Sequence, residues 1–416
     1  MLIQSTGALP KPKDGSWPIL QNMILAIGAH SSEFCRQNAD LHFYRRASKY
    51  LSWDILRRGS VSLVQALALM ANYLQKRDRP NSGFTLLGVA MNMAQGIGLH
   101  REFAGPSISA HSMEIRRRVW WVLFIFDSGA RLTFGRPTLT IGGINIGMPR
   151  NLDDTDLAVD LEKLPPSNEL ATVTSSLISQ VKLAKISNIA NEKLLQVTTP
   201  DIPALMEFGN KLQLWRDNLP VYMKETAAVT DHNIFEVPRM VLLWRSMHLR
   251  IVIFRPVILD TIKRRDPLLY ADVQSPQVQC VEAASECVMS ITSFWSTTRS
   301  HHGALVWYAC YWLVTAVFVH VTCLLYSPQH DFAPTWRQQI DFAKAALEDM
   351  AYYELTAARA VNIIRQLLSL VPPDPDTAFF ETNEPIRMEF AEFWNHPWND
   401  LSLFQGGSPS DIATST

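Results

Sequence analysis

The 416-residue chain has almost no net charge, no paired cysteines and no stretch of strand-like alternation, and each absence excludes something. Thirty-eight Lys and Arg stand against 39 Asp and Glu, a formal charge of −1, so the chain lacks the basic face with which a protein grips nucleic acid. Its five cysteines, Cys35, Cys280, Cys287, Cys310 and Cys323, are widely spaced and contain no C-x-x-C, which gives neither a disulfide framework nor a zinc site. The pattern suits a reducing, intracellular compartment. Residues 1–15 hold prolines and lysines without an apolar core, so no signal peptide is expected there.

The chemistry of common enzymes is missing as well. Gly96-Ile97-Gly98 and Gly142-Gly143 follow no strand, and neither G-x-x-x-x-G-K nor a full G-x-G-x-x-G occurs. There is no G-x-S-x-G elbow. His301 and His302 are adjacent and would lie on different faces of a helix, and His320 stands alone in an apolar run. Asp153-Asp154-Thr155-Asp156 lacks the glycine turn and distal glutamate of a calcium loop. No catalytic, cofactor-binding or metal-ligating residue is therefore assigned, no cofactor is expected, and the chain is read as a non-enzyme. A second reading stays open: an interior lined by Trp120, Trp121, Trp244, Trp307 and Trp312 would suit an apolar metabolite and a cyclisation or isomerisation needing few polar groups.

What is present is helical periodicity. Hydrophobic residues make up 47% of the chain and charged ones 19%, enough for a large buried core. Leu20, Ile24 and Ile27 begin an apolar stripe at Trp17; a second helix is predicted over 39–56, and Val64, Leu67, Ala68, Ala71 and Leu74 mark a third. Pro80-Asn81-Ser82-Gly83 reads as a turn, and Ser60 or Ser62 as a cap. Further helices are predicted over 170–195, 202–218, 236–255, 277–295, 301–326 and 334–370, with an acidic surface connection over 150–167. The fold class is all-α: a large bundle of antiparallel helical hairpins with an irregular loop segment near the middle and a partly disordered C-terminal tail. Residues 1–16 read as a flexible tail, 17–371 as one helical regulatory domain and 372–416 as an acidic, aromatic tail.

Two segments carry two readings each. Residues 303–326 contain no Asp, Glu, Lys or Arg and qualify by length as a transmembrane span. The reading preferred here is a helix enclosed by other helices, because the flanks lack a Lys/Arg bias and the aromatics bunch at one end. In the tail, Phe379, Phe380, Phe390, Phe393, Trp394, Trp398 and Phe404 are interleaved with acids, the composition of an activation segment. The alternative is a strap docked back on the helical body.

The most informative stretch is 112–149. Ser112 is placed as an N-cap, Glu114 lies in the first turn, and Val119–Phe126 is apolar on every side, as in a fully enclosed helix. Asp127 is a lone carboxylate in that run, with Arg131, Arg136 or the Arg116–Arg118 set as candidate partners. Gly135-Arg136-Pro137 ends the helix. Glu114, Arg116, Arg117, Arg118, Trp120, Trp121, Asp127, Gly135, Arg136 and Pro137, followed by Met148-Pro149, resemble the core motif of the fungal-specific transcription factor domain. Gly83–Arg101 is similar to its lead-in helix, and Leu249, Val252, Phe254-Arg255-Pro256, Cys280 and Ala283-Ala284 to its later landmarks. Ser128 departs from the arginine common there.

The resemblance implies a helical regulatory and effector-sensing module of a fungal transcription regulator, serving a metabolic or secondary-metabolite gene set in the nucleus. In that family a cysteine cluster upstream supplies the zinc and the DNA contact. This chain has none, so it is expected to reach DNA only indirectly, and because the family's first helices should precede Trp17 it is expected to begin inside the domain. Expected partners are coactivators or a full-length related regulator, with a small apolar ligand and a dimer also compatible, and no membrane.

Overall fold

The computed structural model describes residues 14–32, 38–77, 79–103, 108–138, 143–157, 163–196, 201–225, 235–268, 275–297, 303–369 and 371. The expectations for residues 1–13, for His301 and His302 and for the tail 372–416 lie outside them. The described residues form thirteen α-helices and no strand. In order they are α1 (Trp17–Ser31), α2 (Ala39–Tyr50), α3 (Trp53–Arg58), α4 (Val61–Lys76), α5 (Pro80–Gly96), α6 (Ala110–Thr133), α7 (Ser175–Leu194), α8 (Ile202–Asp217), α9 (Glu236–Arg264), α10 (Pro276–Thr297), α11 (Gly303–Tyr326), α12 (Ala333–Met350) and α13 (Leu355–Ser369). Successive helices pack together, α1 on α2, α4 on α5, α9 on α10 and α11 on α12.

Several boundaries move from their expected places, each for a local reason. The helix expected over 39–56 is two, because Ser52 turns extended and its side chain accepts from the N–H of Ile55 to start α3. Pro80 does not make a turn: it opens α5 at a first-turn position, where its missing N–H is harmless. Gly83 then lies inside α5, where a Cβ would come 2.7 Å from the Ala71 carbonyl oxygen of α4. Ser109, not Ser112, caps α6, accepting from the N–H of Ser112 at 3.1 Å. Helix α9 runs through Pro256 rather than stopping at Arg255; the buried Ile258, Leu259 and Ile262 offset the one ladder bond that proline removes. The helix expected over 334–370 divides at Tyr352 and Tyr353 into α12 and α13.

Two hydrophobic cores result. The first gathers α1, α2, α4, α5 and α6, with Met23, Leu67, Met91, Trp120 and Leu123 at its centre. The second gathers α7 to α13 around Trp244, Phe254, Phe318 and Trp336. Helix α7 belongs to both: Val181 and Ala184 face the first core, Leu183 and Ala190 the second. Its remaining buried positions are polar, among them Gln180, Ser187, Asn188 and Asn191. Helix α11 is the axis of the second core, packed by α9, α10, α12 and α13. It is long and apolar enough to cross a membrane, yet 94% of its most apolar window is buried inside the protein. Its polar groups are satisfied within the helix where they can be, Thr315 donating to Tyr311 O at 3.1 Å and Thr322 to Phe318 O at 2.6 Å.

Candidate functional site

The arginine-rich start of α6 is a clasp. Glu114 is fully buried, and its carboxylate takes the Arg117 guanidinium at 3.3 Å and that of Arg118 at 3.2 Å. Each arginine then reaches outward. Arg118 binds Asp154 at 2.8 Å and the Leu152 carbonyl at 2.9 Å. Arg117 forks onto Glu102, which in turn accepts the Gly147 N–H at 2.9 Å. Burial pushes the Glu102 carboxyl upward, but Arg117 and the Gly147 amide together bring it below the ordinary carboxylate range. Arg116 donates to the carbonyls of Ile97 and Gly98, holding the end of α5. On the same side the indole N–H of Trp121 donates to Gly147 O at 2.8 Å.

The region after α6 is thereby fastened rather than loose. Leu152 and Leu157 are buried, Arg150 donates to the carbonyls of Leu164 and Pro165, and the side chain of Asn151 donates to those of Asn168 and Leu170. Over its described residues the expected surface connection does run along the surface, with Asp154, Thr155, Asp156, Pro166 and Ser167 exposed, and it is also anchored there, because its arginine and asparagine side chains replace the missing ladder of backbone bonds. Asp153 and Asp156 cap a short 3-10 turn.

At the other end of α6, Asp127 pairs with Arg131 at 2.7 Å, and Arg131 also donates to Pro137 O at 2.5 Å. Burial raises the Asp127 carboxyl despite that partner. Arg136 takes no part in the pair. Its guanidinium lies 4.2 Å from the Phe84 ring centre, a cation–π contact, and its carbonyl accepts from Asn191. Gly135 adopts φ +57°, the left-handed conformation that ends the helix. Trp120 is packed in the first core.

A cavity of about 500 Å³ opens behind this helix, at the seam between the two cores. From α6 it is lined by the half-buried Val122, Ile125, Phe126 and Leu132 and by the buried Ala130. Helix α4 adds Asn72 and Gln75, α5 adds Phe84 and Leu87, and α7 adds Leu177 and Gln180. From the second core come Val241, Arg245 and His248 of α9 and Trp307, Tyr308, Tyr311 and Trp312 of α11. Trp307 and Tyr311 stack with ring planes 4° apart. Of the tryptophans expected to line an aromatic interior, Trp307 and Trp312 do so; Trp120, Trp121 and Trp244 are core residues with no face on the cavity.

Arg245 and His248 were not singled out by sequence reasoning. The signal was there: Leu242-Leu243-Trp244-Arg245-Ser246-Met247-His248 places a cation in an apolar helix, as Asp127 is placed in α6. Burial lowers the Arg245 guanidinium to about 10, which leaves it charged at neutral pH. His248 is held neutral, its pKa brought down to about 3 by burial and by the Arg255 and Arg245 charges. The cysteines Cys280 and Cys287 are buried in the second core, where burial pushes their thiols up, so they pack rather than react.

Comparison with known proteins agrees with the motif. A family model, the fungal specific transcription factor domain, matches residues 6–217, the part of the chain that carries α1 to α8. The lactose regulatory protein LAC9 of Kluyveromyces lactis is 26% identical over 363 residues, 84% of this chain and 38% of its own length. The thiamine repressible genes regulatory protein thi1 of Schizosaccharomyces pombe is 26% identical over 245 residues, 56% of this chain and 29% of its own. The fusaridione A cluster transcription factor fsdR of Fusarium heterosporum is 28% identical over 230 residues, 52% of this chain and 42% of its own. The chain thus spans less than half the length of these relatives. No solved structure gives a significant match.

Proposed function

This chain belongs to the fungal specific transcription factor domain family, and on that premise we propose that it is the effector-sensing body of a fungal transcription regulator. The gene set it governs is metabolic or secondary-metabolite, by analogy with relatives whose names record lactose regulation and a metabolite cluster. It works in the nucleus and reaches DNA through a separate cysteine-cluster module, on a full-length related regulator with which it pairs. The tail 372–416 recruits coactivator through its interleaved acids and aromatics.

The observation that carries this reading is the seam cavity. A small molecule held there touches α4 to α7 on one side and α9 and α11 on the other. It therefore favours whichever arrangement of the two cores gives it the better contacts, and occupancy becomes a shift in population. That is the physical requirement for sensing.

Deleting the gene tests the role. Transcripts of a defined gene set should fall or rise several-fold, and a chain with Val241→Trp, which fills the cavity, should fail to restore the response to the inducing metabolite. Unchanged transcripts together with an accumulated precursor would instead support a biosynthetic enzyme.

A further inference from the structure

The seam cavity contains a guanidinium without a counter-charge. Nη1 of Arg245 donates to the amide oxygen of Gln180 at 2.9 Å and Nη2 to the Ile125 carbonyl at 3.3 Å. Both acceptors are neutral, and no Asp or Glu is among the described residues lining the cavity. An arginine has five N–H donors in a fixed fork, so two bonds leave it under-used. Arg245 is partly buried and lines the cavity between the cores. A charge in such a place is expensive unless it is paired.

The surroundings leave that charge unbalanced and much of the remaining wall apolar. Gly129 of α6 sits against the fork: a Cβ there would lie 3.6 Å from Nη2, so the helix leaves it room. His248, one turn along α9, is neutral and offers one ring donor and one acceptor. A second cation, Lys76, stands behind the wall, donating to Asn72 at 2.8 Å and lying 5.0 Å over the Tyr308 ring. The Trp307–Tyr311 stack and Phe84 give flat and apolar surface.

We propose that the seam cavity binds an amphipathic carboxylic acid, its carboxylate on the Arg245 fork and its aromatic or aliphatic body against Trp307 and Tyr311. This rests on the reading of the cavity as an effector site and adds the chemical class of the effector. A carboxylate matches a planar guanidinium with two parallel hydrogen bonds and brings one negative charge to one positive charge. A phosphate dianion would leave its second charge in an apolar chamber, and a neutral ligand would leave the fork as it stands.

The test is calorimetric titration of the full chain with naphthaleneacetic, phenylbutanoic and decanoic acids, each beside its primary amide. The amides keep the shape but carry no charge and put an NH2 donor in place of one acceptor oxygen, so they cannot accept both bonds of the fork. At least one acid should bind about tenfold or more tightly than its amide. Arg245→Lys should keep a preference, Arg245→Gln should bring the ratio to about one, and Val241→Trp should abolish binding of both. Should Arg245→Gln not fold, the ratio in the native chain and in Arg245→Lys decides. Equal binding of acid and amide, lost in Val241→Trp, overturns the carboxylate assignment and leaves the effector cavity standing. An acid preference that survives in Arg245→Gln also overturns it, because the anion then sits elsewhere. No binding of either series overturns both readings.

Discussion

Oε1 of Glu114 accepts the backbone N–H of Arg150 at 3.0 Å, which ties a carboxylate inside α6 to a loop 36 residues further along the chain. The same carboxylate holds Arg117 and Arg118, and these hold Glu102 and Asp154. One buried negative charge thus organises two guanidiniums and the segment that leaves the helix. In this chain the arginine-rich start of α6 is a structural fastening, and the ligand chemistry proposed above lies on other residues.

Replacing Glu114 should therefore be costly. Glu114→Ala leaves two mostly buried guanidiniums and a backbone N–H without their acceptor, a loss of about 3 kcal/mol in urea unfolding. Faster hydrogen exchange at the Arg150 amide should accompany it. Glu114→Gln, which retains an acceptor oxygen, should lose less. An unchanged unfolding midpoint in Glu114→Ala would remove the clasp from the account.

Asp127 and Arg131 make a different bargain. The folded-state carboxyl is raised by burial, so its ionisation opposes folding at neutral pH and is relieved as the pH falls through its folded value. Arg131→Met should destabilise by about 3 kcal/mol, because it strands the carboxylate. Asp127→Leu combined with Arg131→Met should recover most of that loss. If the double variant is no better than the single one, the pair contributes more than its geometry explains.

Three buried histidines set the acid side of stability. His30 is brought down to about 4 by burial and the Arg77 charge, with Asp40 opposing, and His248 to about 3 by burial and its arginine neighbours. His320 is brought to about 3 by burial alone. A folded pKa below the ordinary 6.5 means that the unfolded chain binds the proton first. Their contribution is complete above about pH 6.5 and falls as the pH drops towards 4 or 3, each adding about 1.4 kcal/mol per pH unit. His320 has no hydrogen-bond partner for either ring nitrogen among the described residues. His320→Leu should consequently raise stability at pH 7 and flatten the acid slope. A slope identical to that of the native chain would contradict this.

A pair of glycine substitutions separates packing from helix propensity. Gly209 of α8 meets α9 so closely that a Cβ would lie 2.7 Å from the ring of the fully buried Phe254, whereas nothing lies within 4 Å of the same position on Gly88 of α5. Gly209→Ala should destabilise by about 1–3 kcal/mol and Gly88→Ala stabilise by about 0.5–1 kcal/mol. Thermal unfolding of both variants measures the difference in sign.

Much of this architecture is legible in the residues because most helices carry local signals. Ser60 before an apolar stripe and Gly135-Arg136-Pro137 at a helix end are capping and terminating chemistry that acts over a few residues. What local signals miss is decided at a distance. Ser52 and Tyr352–Tyr353 interrupt runs whose periodicity continues, and Pro256 fails to interrupt one because Ile258, Leu259 and Ile262 after it are buried in the second core. Asp127 announces itself as a lone charge whose partner is one turn away. Arg245 carries the same signal, but its meaning depends on α6, α7 and α11 converging on it, and no spacing within α9 contains that information.

Helix α7 gives two of its sides to two different cores, so it stands as a party wall whose removal exposes both rooms. Neither half can melt while the other keeps its lining, and calorimetry should record one heat-absorption peak instead of two. The polar studs along that wall, Gln180 among them, also place a side-chain amide that holds the Arg245 fork within the shared partition. A molecule lodged beside it is felt on both sides at once.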